Sequence, residues 1–412
     1  VTRNRFGRLG RWAVPAATVL AAVVAAGATP VAGNAAVSGL THGPSVRVAA
    51  GVGYQTFQLS AAAGLVRGYL VSADLRDPRL RVGLLHPDSV GERAAVSAMA
   101  DAQHAVAGVN GDFFNISEEH AGVTPTGSSD GPEIADGRDL KAAVPNSQRF
   151  GPGLPAGTST RDVIGVGLDR RARLGTLTLR GTAWTGHGAL AVGGLNQYAV
   201  AQGGIDAFTS AWGTVSRQRA VCGSDLRRAD PCATDTAEVV VSHGRVASVS
   251  DTPGAGAIPT GSTVLVGREA GADSLRALHV GDPVLVGYHL ASTTRVPYAF
   301  AVGGFPILRD GAPLAGLDDK VSAVRTAAGY SADGRHFYLV GLAGDTETGA
   351  GLTIGELAAL MSRLGAADAV NLDGGGSTTV AVREPGDSTV TVENHPSGGA
   401  ERPVANGVGI FG

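Results

Sequence analysis

The chain has 412 residues with 33 basic and 36 acidic side chains, a formal net charge of −3. That balance disfavours nucleic acid and anionic lipid as partners, because neither is drawn to an acidic surface. With 62 glycines and only 5% aromatic residues, many short strands and turns are expected and few long helices.

Residues 1–12 carry Arg3, Arg5, Arg8 and Arg11 and no acid, and an Ala/Val-rich run follows to about Val31. Small residues then lead to cleavage sites near Ala35 or Ala36. Basic, apolar and small-residue zones in that order read as a signal peptide over 1–36, predicting a secreted, extracellular protein. The competing reading is an uncleaved anchor, but alanine is weakly apolar and the run ends in helix breakers. Removing the four arginines takes the net charge from −3 to −7. No second run is long enough to span a bilayer, so no stable membrane insertion is expected after cleavage.

Residues 37–65 are Gly/Ala/Ser-rich and predict a loose lead-in, and the catalytic domain is expected over 66–412. Strands are predicted between Val66 and Leu85, a helix from Glu92 to His104, and a buried strand from Ala105 to Val109 running into Asn110-Gly-Asp-Phe-Phe-Asn115. Residues 116–160 have little periodicity and read as a long surface loop. The section 163–289 alternates in short turn-bounded segments and reads as β-rich, an inserted lobe being one possibility. Within it Cys222 and Cys232 enclose a polar stretch. Outside the cytoplasm such a pair predicts a disulfide, and two thiols without a local histidine pair make a poor metal site.

Further on, Thr353-Ile-Gly-Glu356 is a capping box opening a helix stopped by Gly365. Strand Ala369 to Leu372 follows, then a Gly-rich turn, then Thr378 to Val382. Helix then strand occurs here as before Asn110, which suggests two units presenting strand ends to a shared site.

The strongest chemical signal is Asn371-Leu-Asp-Gly-Gly-Gly-Ser-Thr378. Asp373 lies at a strand end, and the N–H groups of Gly374, Gly375 and Gly376 can converge on an anion, with Ser377 and Thr378 adding hydroxyl donors. A turn in which Asp373 merely caps the backbone fits equally. Asp112 offers a second carboxylate, since carboxylate pairs cleave glycosidic bonds, or else an Asx-turn. Asn110 and Asn371 suit sugar hydroxyls or turn geometry. Arg325, in the apolar run Val321 to Gly329, needs a partner: Asp373, Asp112, a substrate phosphate or a structural ion pair. His104, His289 and His336 lie singly and read as packing residues.

These blocks, with Gly303-Gly-Phe-Pro-Ile-Leu-Arg-Asp-Gly311, Gly351-Leu-Thr-Ile-Gly-Glu-Leu357 and Glu401-Arg-Pro-Val-Ala-Asn406, occur in the order found in phosphodiester glycosidases, which the chain resembles over roughly 100–412. The resemblance implies an α+β class: a mixed α/β catalytic domain, here with a β-rich section. It implies hydrolysis between a sugar's anomeric carbon and a phosphodiester, on a sugar phosphodiester or cell-envelope phosphoglycan. Its motif residues fall on Asn110, Asp112, Arg325, Asp373, Gly374, Gly375, Ser377, Glu401 and Arg402, with Asp373, Asp112 and Glu401 the catalytic candidates. The chain departs from the pattern at Asp112, often glycine, and at Ala343-Gly-Asp345, often Asp-Gly-Arg. No cofactor is implied, although scattered acids leave room for a divalent metal. Two rival readings follow: a metal-dependent phosphodiesterase using Asp112, Asp373 and Asp345, and a non-catalytic module binding glycan phosphate.

Overall fold

The alternating and apolar runs of the sequence pair into four sheets among the described residues of a computed structural model, 37–344 and 350–412. The signal-peptide reading over 1–36 and the position of Asp345 lie outside those residues. Residues 34–412 form one compact unit.

The central sheet runs in the order Ser38–His42, Val52–Ala61, Gly64–Asp74, His336–Leu342, Thr326–Tyr330, Asp368–Leu372, Phe305–Arg309 and Ala312–Pro313, with Val46–Ala49 added on Val52–Ala61. The N-terminal stretch expected to be loose is therefore ordered strand. Its alternation was masked by Gly, Ser and Gln, yet Val52, Phe57 and Leu59 point inward and are buried. One face carries Val71, Leu339, Val370 and Leu372, which pack on Val82, Leu84, Val109, Val380, Val408 and Ile410. Those residues belong to a second sheet, ordered Thr391–Val392, Val380–Val382, Ala107–Asn110, Gly407–Phe411 and Arg81–Leu85. The opposite face of the central sheet is covered by helix Ile354–Arg363, which buries Leu357, Leu360 and Met361 against Val340 and Ala369. The capping box is formed: Glu356 N–H donates to Thr353 Oγ1 (3.1 Å) and Thr353 N–H to Glu356 Oε2 (2.9 Å).

The β-rich section builds the other two sheets, but it is not self-contained. Its larger sheet places Asp162–Gly167 beside Tyr298–Gly303, which in turn pairs with Glu133–Ala135. Residues on both sides of 163–289 thus complete it. The described residues are mostly β, 41% strand and 10% helix, so the helical share is smaller than an α+β class suggests. The first helix is also shorter than its pattern, Val96–Ala102, because Ala94 is held in a bridge to Val404.

Candidate active site at the meeting of two strand ends

Strands Ala107–Asn110 and Asp368–Leu372 belong to different sheets, and their C-terminal ends meet. Asn110 Nδ2 donates to the Asp373 carbonyl (2.6 Å), while its Oδ1 accepts from Thr326 Oγ1 (2.8 Å) and Thr379 N–H (3.2 Å). Asp373 N–H donates to Gly111 O (2.9 Å). Glycine is needed at 111 for a different neighbour, since a Cβ there would run into the Asn406 side chain. Asn110 is completely buried, and both its amide nitrogen and its amide oxygen are bonded to protein. It clamps the junction and has no free group for a sugar hydroxyl. Thr378, also buried, shares a hydroxyl–hydroxyl hydrogen bond with Thr326 and accepts from Asn394 at its carbonyl, serving the same joint.

Asp373 emerges from this joint partly exposed. Its carboxylate accepts the Gly374 N–H (2.9 Å) and the Ser377 hydroxyl, and Arg402 Nη1 donates to Ser377 Oγ (3.2 Å). Burial pushes the Asp373 carboxyl up to about 6, and Ser377, Gly374 and the Arg402 charge hold it from rising further. Ser377 thus links a carboxyl poised near neutrality to a guanidinium, a pairing suited to proton transfer beside an anion.

The triple glycine does not form the expected anion nest. Gly374, Gly375, Ser377 and Thr378 donate their N–H groups to Asp373 Oδ1, Val324 O, Gly374 O and Gly375 O. Only the Gly376 N–H has no acceptor among the described residues. The glycines are explained by space and torsion. A Cβ at Gly374 would sit 2.5 Å from Val324 O, Gly375 has φ +58°, and a Cβ at Gly376 would sit 2.4 Å from Arg402 Nη2. Close approach of Arg402 over Gly376 is what the sequence could not reveal.

Three further candidates point elsewhere. Arg325 precedes strand Thr326–Tyr330 and pairs with no carboxylate among the described residues. Its Nε donates to Leu352 O (2.9 Å) and Nη2 to Val321 O (2.7 Å), and burial lowers its pKa. It braces two loop segments. Arg325→Ala is expected to cost about 3 kcal/mol of stability, from two charge-assisted bonds. Urea denaturation checks this, with turnover per folded molecule changing less than tenfold. Glu401 accepts from Ser97 N–H (2.8 Å) and Ser97 Oγ (2.6 Å), capping helix Val96–Ala102, whose own N-cap residue Ala95 makes no side-chain bond. Glu401 anchors the segment that carries Arg402 and has both oxygens engaged.

Asp112 is 2% exposed and accepts from Phe113 N–H (2.8 Å) and Gly131 N–H (2.6 Å). Gly131 and Gly303 close over it, so a Cβ on either would lie within 2.8 Å of Oδ2. Burial, then the nearby Asp130, raises its pKa well above the carboxylate range. Asp112 belongs to a buried polar network that sequence reasoning missed, with Asp130, Glu133, Lys141 and Asn406. These residues sit in or against the stretch expected to be surface loop, where no periodicity marked them as internal. Asn371 is buried with neither side-chain atom hydrogen-bonded to protein.

Cys222 and Cys232 form a disulfide. With His120 they make the one group of three potential metal ligands within 4.8 Å among the described residues, and both sulfurs are bonded to each other. Of the metal trio Asp112, Asp373 and Asp345, Asp112 is buried and accepts two backbone N–H groups, and Asp345 lies outside the described residues. Among the described residues no helix is long and apolar enough to cross a membrane.

Residues 235–411, which contain Asp373, Ser377 and Arg402, match the phosphodiester glycosidase family. The resemblance carried by the sequence blocks is thereby shown for that section of the chain. The fold is shared with a hypothetical protein from Synechocystis (22% identity, TM-score 0.66), over 89% of this chain and 63% of that one, so this chain spans less than two thirds of that relative. It is shared also with a Burkholderia pseudomallei protein named as exported (20% identity, TM-score 0.68), over 91% and 97% of the two chains. The catalytic domain of zebrafish N-acetylglucosamine-1-phosphodiester α-N-acetylglucosaminidase aligns over 91% of this chain and 88% of that one, at 14% identity and TM-score 0.44, too distant to carry an argument. No curated protein matches the sequence.

Proposed function

We propose that the protein is a secreted hydrolase cleaving the glycosidic C–O bond of a sugar-1-phosphodiester, releasing free sugar and a phosphomonoester. The observation that carries this reading is the Asp373–Ser377–Arg402 arrangement, partly exposed and inside the family-matched section. The chemistry follows from the leaving group. A phosphomonoester leaves with its bonding electrons as an anion and needs charge stabilisation more than protonation. Arg402 supplies that charge. Asp373, ionised above about pH 6, takes the proton of the water that attacks the anomeric carbon and stabilises positive charge on the sugar. Ser377 holds the two side chains in register. A cavity of about 380 Å³ bordered by Val392, His395, Pro396 and Glu401 adjoins Arg402 in sequence and offers room for the alkyl part of the departing phosphomonoester.

Export is supported by the order of zones in residues 1–36, by the disulfide and by the Burkholderia protein of the same fold that is named as exported. The catalytic reading is tested with Arg402→Ala and N-acetylglucosamine-α-1-phospho-6-mannose methyl glycoside, or a panel of envelope phosphoglycans. Loss of one transition-state donor is expected to lower kcat about 10²–10³-fold. Turnover near that of the parent protein would remove Arg402 from the site.

A further inference from the structure

We infer that a cavity in the β-rich section is a second binding site, one for an anionic saccharide. The cavity has a volume of about 450 Å³, and its wall includes Asn146, Thr160, Arg161, Gly193, Gln197 and Asp206. None of these residues belongs to the Asp373 site, and the inference does not rest on the catalytic reading.

The polar groups are built into place. Asp206 lies in strand Ile205–Phe208 and is 2% exposed. Gln197 Nε2 donates both to Asp206 Oδ2 and to Ala199 O (2.7 Å), and Gln197 Oε1 accepts the Ala199 N–H (2.9 Å). The glutamine amide is therefore saturated and fixes one oxygen of Asp206. A Cβ at Gly194 would lie 2.3 Å from Oδ2, so glycine is needed for that closure. The carboxyl also accepts the Gly194 N–H, and its other oxygen, Oδ1, lies next to Gly193, where a Cβ would be 3.6 Å away. Asn146 is held similarly. The side chain is exposed, its Oδ1 accepts from Thr160 N–H (3.0 Å), and its Nδ2 has no acceptor among the described residues.

The charges favour an anion. Arg161 is exposed and makes no ion pair within 4.0 Å among the described residues. The neighbouring carboxyl, Asp162, is directed to Ser159 N–H (2.6 Å) and Arg309 (3.5 Å). Burial pushes Asp206 up to about 8, so near neutrality it carries a proton and donates instead of repelling. A neutral carboxyl and a guanidinium exclude a cation as the ligand. None of the residues lining the cavity is aromatic, so a flat apolar ligand has no platform. Fixed donors from Asn146 and Asp206 beside one unpaired guanidinium match hydroxyl groups plus one phosphate or carboxylate.

Calorimetric titration of the whole protein at pH 7 with glucose 6-phosphate, glucose and inorganic phosphate tests the inference. Glucose 6-phosphate is expected to bind at least tenfold more tightly than either part alone. Arg161→Ala should weaken it at least tenfold and Asn146→Ala several-fold, while Arg402→Ala leaves it unchanged. Unaltered binding in Arg161→Ala would overturn the inference. So would no binding at all, binding lost in Arg402→Ala instead, or phosphate binding as tightly as the sugar phosphate.

Discussion

Asp373→Asn is expected to abolish nearly all hydrolysis of a sugar-1-phosphodiester, at least about 10³-fold in kcat/KM, while making the folded protein more stable at pH 7. Asparagine keeps an acceptor for the Gly374 N–H but cannot take a proton from water. The stability effect follows from the direction of the pKa shift. Burial raises the folded-state value to about 6 from 3.8, so the folded protein binds a proton that the unfolded chain has already released. Stability from this group therefore falls as pH rises from about 4 to 6, and above 6 the buried charge exerts its full cost. Two pH units correspond to an upper bound of about 3 kcal/mol, reduced by the partial exposure of the group. Thermal unfolding should show a gain in the variant at pH 7.5 that vanishes below pH 4. In the parent protein, kcat/KM should rise through about pH 6. Retained activity would remove Asp373 from the chemistry, and a loss of stability at pH 7.5 would contradict the electrostatic account.

Lys141→Met is expected to produce the largest loss of stability, about 3–5 kcal/mol, with a large fall in the urea midpoint. Lys141 is completely buried, and its ammonium donates to Gly131 O (2.9 Å), Ala142 O (2.7 Å) and, more weakly, Asp130 O (3.4 Å). Burial drives its pKa down to about 8, opposed by Glu133, Asp112 and Asp130. Methionine would fill the space but leave those carbonyls unpaired and three buried acids without a counter-charge. The acids can respond only by binding protons, so the loss should be smaller at pH 5 than at pH 8. Adding Asp112→Asn should recover part of it, because one uncompensated acid is then gone. An equal loss at both pH values would mean that packing, not charge, is Lys141's role.

Features legible in the sequence were those written locally. The capping box at Thr353 and Glu356, the two strands ending at Asn110 and before Asp373, and the Cys222–Cys232 pair all lie within short windows. Partners distant in sequence were hidden. Glu401 caps a helix 304 residues away, and nothing beside Glu401 or Ser97 announces that bond. Arg325 sits next to an apolar strand, but backbone carbonyls of loops, not acids, neutralise its demand for acceptors. Consecutive glycines suggested an anion nest. In the fold they admit Val324 O on one side and the Arg402 guanidinium on the other, while their N–H groups close the turn. In the proposed mechanism the phosphate is therefore assigned to Arg402, already one of the motif residues, and not to the glycine backbone or Arg325; its proximity to Asp373 depends on the whole fold. Asp130 and Lys141 were obscured for a different reason. Their stretch is rich in Gly, Pro, Ser and Asp, yet it is buried by strands contributed from far along the chain.

The most direct measurement is the position of heavy oxygen after hydrolysis of N-acetylglucosamine-α-1-phospho-6-mannose methyl glycoside, or of the best substrate in the phosphoglycan panel, in labelled water. Water attack at the anomeric carbon predicts label in the released sugar and none in the phosphomonoester. Label in the phosphate would mean P–O cleavage and would contradict the glycosidase account.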